Sequence, residues 1–410
     1  MLNKTIENIV TQHAEESAFN WILRDKAVHA PHYRLKDLAD LDERVEAHID
    51  GLRIAQDAGW EICKDALFWE EAGEVFAAAV IALESGIKER IQTVLETATI
   101  SPEISRGFIS ALGWVSQTQS KETIQMFSDA ESSALRRIGI AACAIIRQNP
   151  GDKRLKAAFS SEDVLLRSRA IRAVGELGMT WFLPDVKQHL TDKNDICRFY
   201  AAWSSALHKD KDAVPVLCSF AENGKEYAEK ACMMAVRTVR LPDVNKWLEK
   251  IAKNPELQRI AIKGMGAVGD PVWIPYLIEW MKNPELARVA GEAFSMITGV
   301  DIAYEDVEGE IPKGFEAGPT EDPEDEDVET DPDEDLAFPD PVLIAKWWNT
   351  NRSAYQSGTR YVLGKPVSEG HLKDVLRKGF QRQRACAAIW LAMIQGKPLI
   401  EVRAPGFRQR

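Results

Sequence analysis

No apolar run in this 410-residue chain approaches the ~20 residues that a bilayer span requires. No glycine-rich phosphate loop, G-x-S-x-G elbow, H-E-x-x-H pair or dinucleotide fingerprint occurs either, so the common catalytic motifs are missing. The six cysteines, Cys63, Cys143, Cys197, Cys218, Cys232 and Cys386, are scattered without C-x-x-C spacing. That argues against a metal knuckle or a disulfide framework and for buried thiols in a reducing compartment. The start, Met1-Leu2-Asn3-Lys4-Thr5-Ile6-Glu7, lacks the basic end and apolar core of a secretory signal. A soluble, cytoplasmic protein without membrane partner or cofactor is expected.

A basic surplus is missing too. The net charge is -12, but the stretch from Glu305 to Asp335 holds sixteen acidic residues and only Lys313 as a base, so it carries -15 and the rest of the chain +3. A nearly neutral body and a strongly acidic segment therefore have to be treated separately. The body is too weakly basic to suggest a nucleic-acid surface.

What the chain has is self-similarity. Lys253-Asn254-Pro255-Glu256-Leu257-Gln258-Arg259 returns 29 residues later as Lys282-Asn283-Pro284-Glu285-Leu286-Ala287-Arg288, with one change in seven. Amphipathic segments with an early proline recur at Leu183-Pro184, Val214-Pro215, Leu241-Pro242 and Ile274-Pro275, where proline suits the first turn of a helix. Each is followed by a longer segment dense in alanine and glycine, such as Ser168 to Gly178 and Gln258 to Gly269, whose small residues permit close stacking. Arg106, Arg136, Arg167 and Arg198 recur at spacings of 30, 31 and 31.

These features resemble the HEAT family, whose unit is a first helix with an early proline, a turn and a second helix beginning R-x-x-A. The resemblance covers roughly residues 67 to 300 and implies an all-α, HEAT-like α-solenoid with an extended concave surface. First helices are expected near Lys88, Glu122, Lys153, Trp181, Ala213, Pro242 and Trp273, behind an apolar helix from Phe68 to Leu83. Residues 1–66 read as a helical N-terminal cap, with helices from Met1 to Arg24 and Leu35 to Asp57. Residues 301–339 read as an acidic disordered linker, because Val300 to Pro339 offers no apolar surface for a core. Residues 340–410 read as a C-terminal helical segment, from Pro341 to Ser353 and Ser368 to Gly396, with a terminal repeat marked by Arg384-Ala385-Cys386-Ala387. One elongated helical domain is the expectation, without a substantial sheet between 67 and 300.

At whole-chain level the sequence is similar to an uncharacterised bacterial HEAT-repeat family encoded beside type VI secretion components. The similarity is carried by Leu67-Phe68-Trp69-Glu70-Glu71-Ala72-Gly73-Glu74-Val75-Phe76, by Arg106-Gly107-Phe108-Ile109-Ser110-Ala111-Leu112-Gly113-Trp114, and by Gln381 to Ala385 with Ala404 to Gln409. It implies a context rather than an activity: an accessory that binds an effector, a toxin or a spike component.

Each candidate site has a plainer reading beside it. Arg106, Arg136, Arg167 and Arg198 would grip an acidic partner or phosphates along a concave wall. They would equally serve as repeat arginines, each paired within its own turn, as Arg198 with Asp192 or Asp195. Trp273, Trp347 and Trp348 would anchor an interface or fill space between helices. His29 and His32 have H-x-x-H spacing, but Pro31 breaks the helix that a metal pair would need. Asp331-Pro332-Asp333-Glu334-Asp335 has part of a calcium-loop spacing without its glycine or closing glutamate. The acidic stretch is expected to be mobile and dispensable, or else to fold back and screen the arginines. Together these point to a non-catalytic protein-binding scaffold acting as adaptor, chaperone or immunity protein. The alternatives are a nucleic-acid-binding protein related to HEAT-like DNA glycosylases and, more remotely, a lyase resembling the phycobilin lyases.

Overall fold

The computed structural model describes residues 6–315, 317–318 and 331–405. Expectations placed on residues 1–5, on 316 and 319–330 of the acidic stretch, and on 406–410 lie outside them. Among the described residues the protein is all-α, with twenty-one helices and a single two-stranded hairpin, and no strand falls between 67 and 300. No described helix is long and apolar enough to cross a membrane. The chain divides into two compact units, one built from residues up to Asp185 with Phe380–Arg382 and the stretch from Pro398, the other from Val186–Gly379 and Gln383–Lys397.

The first unit opens with α1 (Glu7–Ala27), α2 (Leu35–Ala55), α3 (Asp57–Ala66) and α4 (Ala72–Ser85). Helix pairs follow: α5 (Lys88–Ala98) with α6 (Pro102–Trp114), α7 (Gln117–Ser128) with α8 (Ser133–Ile145), and α9 (Asp152–Phe159) with α10 (Val164–Glu176). The second helices pack side by side in the order α4, α6, α8, α10, and each first helix covers its partner. Small residues permit this: a Cβ at Gly107 would lie 2.0 Å from the Ala72 carbonyl oxygen, so α6 sits against the backbone of α4. The core is aromatic at its centre, where Phe76 stacks on Trp21 and meets the edge of Trp114, both at 5.3 Å.

The second unit contains α11 (Leu183–Gln188), α12 (Asp195–Leu207), α13 (Ala213–Glu222), α14 (Ala228–Thr238), α15 (Leu241–Ala252), α16 (Gln258–Val268), α17 (Ile274–Trp280) and α18 (Pro284–Thr298). It ends with α19 (Pro341–Asn351), the hairpin β1 (Tyr361–Val362) and β2 (Lys365–Pro366), α20 (Glu369–Lys378) and α21 (Gln381–Gln395). Here α14, α16 and α18 pack in sequence over a core that includes Val244, Trp273, Leu277, Phe294 and Tyr361. The hairpin closes the end of α16: Tyr361 N–H donates to the Gly269 carbonyl at 2.8 Å, and a Cβ at Gly269 would lie 2.1 Å from the Tyr361 oxygen.

First helices begin within two residues of the expected Lys88, Lys153, Trp181, Ala213, Pro242 and Trp273, but α7 starts at Gln117 rather than Glu122, because Ser116 and Gln119 form a capping box there. The helix expected from Phe68 begins at Ala72, since Leu67–Trp69 makes a 3-10 turn that Glu70 ends in the left-handed region at φ 53°. Ser368 to Gly396 is two helices, broken at Gly379.

The stretch from Val300 to Pro339 departs most from expectation. Val300, Ile302, Val307 and Phe338 are buried, the first three within the main core of the second unit, and Glu308 bridges to Pro339. Gly309 N–H donates to the Phe338 carbonyl at 2.7 Å and Asp340 N–H to that of Val307 at 2.9 Å, so the two described ends of the acidic stretch are paired with each other.

Candidate functional site: an arginine-lined pocket

The repeat arginines fall into two classes that differ by one residue. Arg136, Arg167 and Arg198 are the fourth residues of α8, α10 and α12, and Arg384 is the fourth of α21. Arg106 and Arg137 are the fifth residues of α6 and α8, and Arg288 is the fifth of α18. Arg259 holds the same place counted from the 3-10 turn at Pro255 that leads into α16. One residue turns a side chain about 100° around a helix, so the two classes face different surroundings.

Three of the four fourth-position arginines hold the turn between the helices of a pair. Arg167 Nη1 donates to the Ser161 carbonyl at 2.5 Å and Arg198 Nη1 to that of Asp192 at 2.7 Å, each six residues upstream. Arg198 also pairs with Asp195 at 2.5 Å and lies 5.2 Å from the centre of the Phe220 ring. Arg384 Nε donates to the Leu376 carbonyl at 2.7 Å. Arg136 lines a separate hollow beside Arg154, which is itself paired with Asp129 at 2.7 Å.

Fifth-position arginines of the first unit line a cavity of about 270 Å³. Its walls carry six guanidinium groups, from Arg24, Arg106, Arg137, Arg169, Arg172 and Arg403, against the carboxylates of Asp25, Glu176 and Glu401. Ile109, Ala141 and Ile145 give it an apolar side. Arg169 Nη2 and Arg172 Nε each meet Glu176 at 2.8 Å. Burial alone would raise the Glu176 carboxyl, but Arg169, Arg172, Arg403 and Arg147 outweigh it and hold the group well below the usual carboxylate range. Glu401 is likewise buried, yet Arg403 at 2.9 Å and Arg147 bring it down to about 2. Both carboxylates are thus fixed as anions and cannot serve as proton donors near neutrality.

The stretch after Pro398 completes the wall. Leu399 N–H donates to the Glu176 carbonyl at 2.9 Å, Arg24 Nη2 to the Arg403 carbonyl at 2.5 Å, and Gln381 Nε2 to the Val402 carbonyl at 3.1 Å. Arg24 also forms a buried pair with Asp42 at 2.9 Å. At the other side Arg106 pairs with Asp25 while its side chain stays 55% exposed. Arg137 differs from the rest: its one hydrogen bond is Nη2 to Ser105 Oγ at 2.9 Å, and it forms no ion pair among the described residues. Burial consequently lowers its pKa, only partly countered by Asp163 and Glu103.

The second unit carries the corresponding arginines with partners in place. Arg259 Nη1 and Nη2 grip the two oxygens of Asp333 at 2.7 and 2.5 Å, and Arg288 meets Asp331 at 2.6 Å. Asp333 is 3% exposed, and its N–H donates to Asp331 Oδ1 at 2.9 Å. These aspartates belong to the acidic stretch read above as disordered and as a partial calcium loop.

Of the residues singled out from the sequence, only Arg106 reaches the pocket. Trp273 is core, with Nε1 donating to Asn245 Oδ1 at 3.0 Å; Trp347 meets the edge of Phe294 at 5.5 Å and Trp348 packs on Tyr355 at 5.4 Å. His29 lies in an exposed turn, its carbonyl accepting from Arg382 Nε at 2.8 Å. No group of three potential metal ligands occurs among the described residues. Sequence reading missed Arg137, Arg169, Arg172, Glu176, Glu401 and Arg403. A signal for Arg137 existed: Ser132-Ser133-Ala134-Leu135-Arg136-Arg137 keeps the cap, apolar and arginine spacing of Asn283-Pro284-Glu285-Leu286-Ala287-Arg288. No protein-family model matches the chain, and comparison with curated proteins finds no match.

Proposed function

We propose that the protein is a non-catalytic binding scaffold that seats an acidic group of a protein partner in the arginine-lined pocket. One observation carries this reading: Arg137 is a half-buried guanidinium inside a cavity, with a single hydrogen bond to a hydroxyl and, among the described residues, no carboxylate in ion-pair contact, Asp163 and Glu103 acting on it only from further away. Keeping a cation away from water without a counterion is unfavourable, and an arriving carboxylate removes that penalty through charge-assisted hydrogen bonds. Among the described residues the lining contains no His, Cys, Lys or Tyr to act as nucleophile or base, and Ser110 Oγ accepts from Trp21 Nε1 at 2.9 Å. Three carboxylates among six arginines disfavour a nucleic-acid backbone, which meets a continuous basic strip instead.

The resemblance to HEAT repeats and to a family found beside type VI secretion components gives the scaffold its context. In that reading it is a cytoplasmic accessory, an adaptor or chaperone for a secreted effector or spike component, or an immunity protein for a toxin. Affinity capture with the tagged full-length chain, compared with the Arg106→Gln/Arg137→Gln double variant, tests it. A partner retained by the wild type and by Arg136→Gln, but lost from the double variant, is the expected result. A partner held equally by both would move the binding surface elsewhere.

A further inference from the structure

We infer that the pocket recognises an acidic turn with carboxylates two residues apart, and that the second unit holds its own example of the ligand. This rests on the reading of the pocket as a protein-binding site. In the second unit, Arg259 and Arg288 stand at the same position of two neighbouring helix starts, and both starts are capped alike. Asn254 Oδ1 accepts from Glu256 N–H at 3.2 Å and Asn283 Oδ1 from Glu285 N–H at 3.1 Å. One turn, Asp331-Pro332-Asp333, spans both: Asp333 takes Arg259 and Asp331 takes Arg288. Side chains of residues i and i+2 thus bridge one helix-to-helix step, a spacing of roughly 8–10 Å between axes that the long arginine side chains shorten.

The first unit repeats the arginine half of this arrangement. α6 and α8 are neighbours, Ser101 Oγ accepts from Ile104 N–H at 3.2 Å and Ser132 Oγ from Leu135 N–H at 3.5 Å, and Arg106 and Arg137 follow at the same fifth position. What differs is the acid. Arg106 has Asp25, from α1, and remains half exposed; Arg137 has a serine hydroxyl. Among the described residues of this unit, no Asp-x-Asp turn bridges the two. The remaining members of the lining, Arg169, Arg172, Arg24 and Arg403, are matched by Glu176, Asp42 and Glu401, so an incoming acid is left Arg137, which has no ion pair among the described residues, and Arg106, whose pairing with Asp25 leaves its side chain 55% exposed. Polarity follows from the example: the first aspartate of the ligand meets Arg137, on the later helix, and the second meets Arg106, on the earlier one.

The probe is a capped synthetic peptide with the sequence of residues 331–335, Asp-Pro-Asp-Glu-Asp, titrated calorimetrically into the full-length chain at low salt. Saturable binding is expected, weakened about tenfold or more by Arg137→Gln, since a charge-assisted bidentate contact is lost. Arg136→Gln, one residue away but on another face, leaves it unchanged. Arg137→Lys keeps the charge without the fork and gives an intermediate loss, which separates recognition from misfolding. A peptide with Asn at both positions does not bind. The inference is overturned if the acidic peptide fails to bind, if the Asn peptide binds as well, or if Arg259→Gln rather than Arg137→Gln abolishes the signal. Inorganic phosphate binding in an Arg137-dependent way while the peptide does not would also overturn it. Capture of a partner through Arg106 and Arg137 would in that case still stand, because it is measured separately.

Discussion

At the scale of single residues, a one-position shift around the helix decides which surroundings an arginine meets. Arg198 is spent on a carbonyl, on Asp195 and on the Phe220 face, so Arg198→Ala should lower stability by about 2 kcal/mol. Arg137 has one hydroxyl contact and, among the described residues, no ion pair, and Asp163 and Glu103 only partly offset the burial of its charge, so Arg137→Leu should leave stability unchanged or raise it. Urea denaturation of the two variants checks the contrast, and a larger loss at Arg137 would return it to the structural class. Charge state adds a pH signature. Glu401 has its folded pKa at about 2, below the ordinary value of about 4.3, and Glu176 is depressed in the same direction. A depressed carboxylate contributes stability above its unfolded pKa and loses it as pH falls through the folded one. The melting temperature should therefore fall between about pH 4.5 and pH 2, and Glu401→Gln should be less stable at neutrality with a flatter acid limb.

At the scale of elements, the acidic stretch shows how composition misleads about structure. Its charge and prolines argue for disorder, yet Asp333 is almost fully buried against Arg259, and Phe338 is buried too. Asp333→Ala would leave the Arg259 guanidinium with only Glu229, at 3.8 Å, and should cost about 3 kcal/mol. Thermal melts of that variant test the point against the expectation that the whole stretch from 305 to 335 is dispensable. Helix contacts are equally specific. Gly107→Ala would drive a methyl into the Ala72 carbonyl and force α6 away from α4, at about 2–3 kcal/mol. Both the period and the small-residue stripe were legible in the sequence; which glycine touches which carbonyl was not.

At the scale of the molecule, the first unit is not closed by its own continuous stretch of chain. It ends at Asp185 and is then completed by Phe380–Arg382 and by residues after Pro398, which supply Glu401 and Arg403 to the pocket. A chain truncated after Lys397 should therefore melt several degrees lower, losing the pairs of Glu401 and the Leu399 N–H to Glu176 bond. Calorimetry of the truncated and full-length chains checks this, and equal melting temperatures would make the late stretch an ornament. The division of charge, -15 between Glu305 and Asp335 and +3 elsewhere, belongs to this scale as well, and Asp331 and Asp333 bring part of the negative share against Arg288 and Arg259.

The sequence by itself determined the all-α class, most helix starts, the repeat near thirty residues and the placement of Trp347 and Trp348 within a helix, because caps, prolines and apolar periodicity act within a few residues of one another. It also contained both arginine positions, in Ser132 to Arg137 and in the two Asn-Pro-Glu-Leu segments, although the even spacing of Arg106, Arg136, Arg167 and Arg198 merged them into one ladder. Only the tertiary structure decided which of these arginines meets a carboxylate. Arg259 is 74 residues from Asp333, and Glu401 is more than two hundred from its partner Arg147 and from Arg169 across the pocket. Partners so distant in the chain are chosen by packing, and the ion pair that Arg137 lacks among the described residues follows from the same cause: Asp163 and Glu103 act on it without coming into contact.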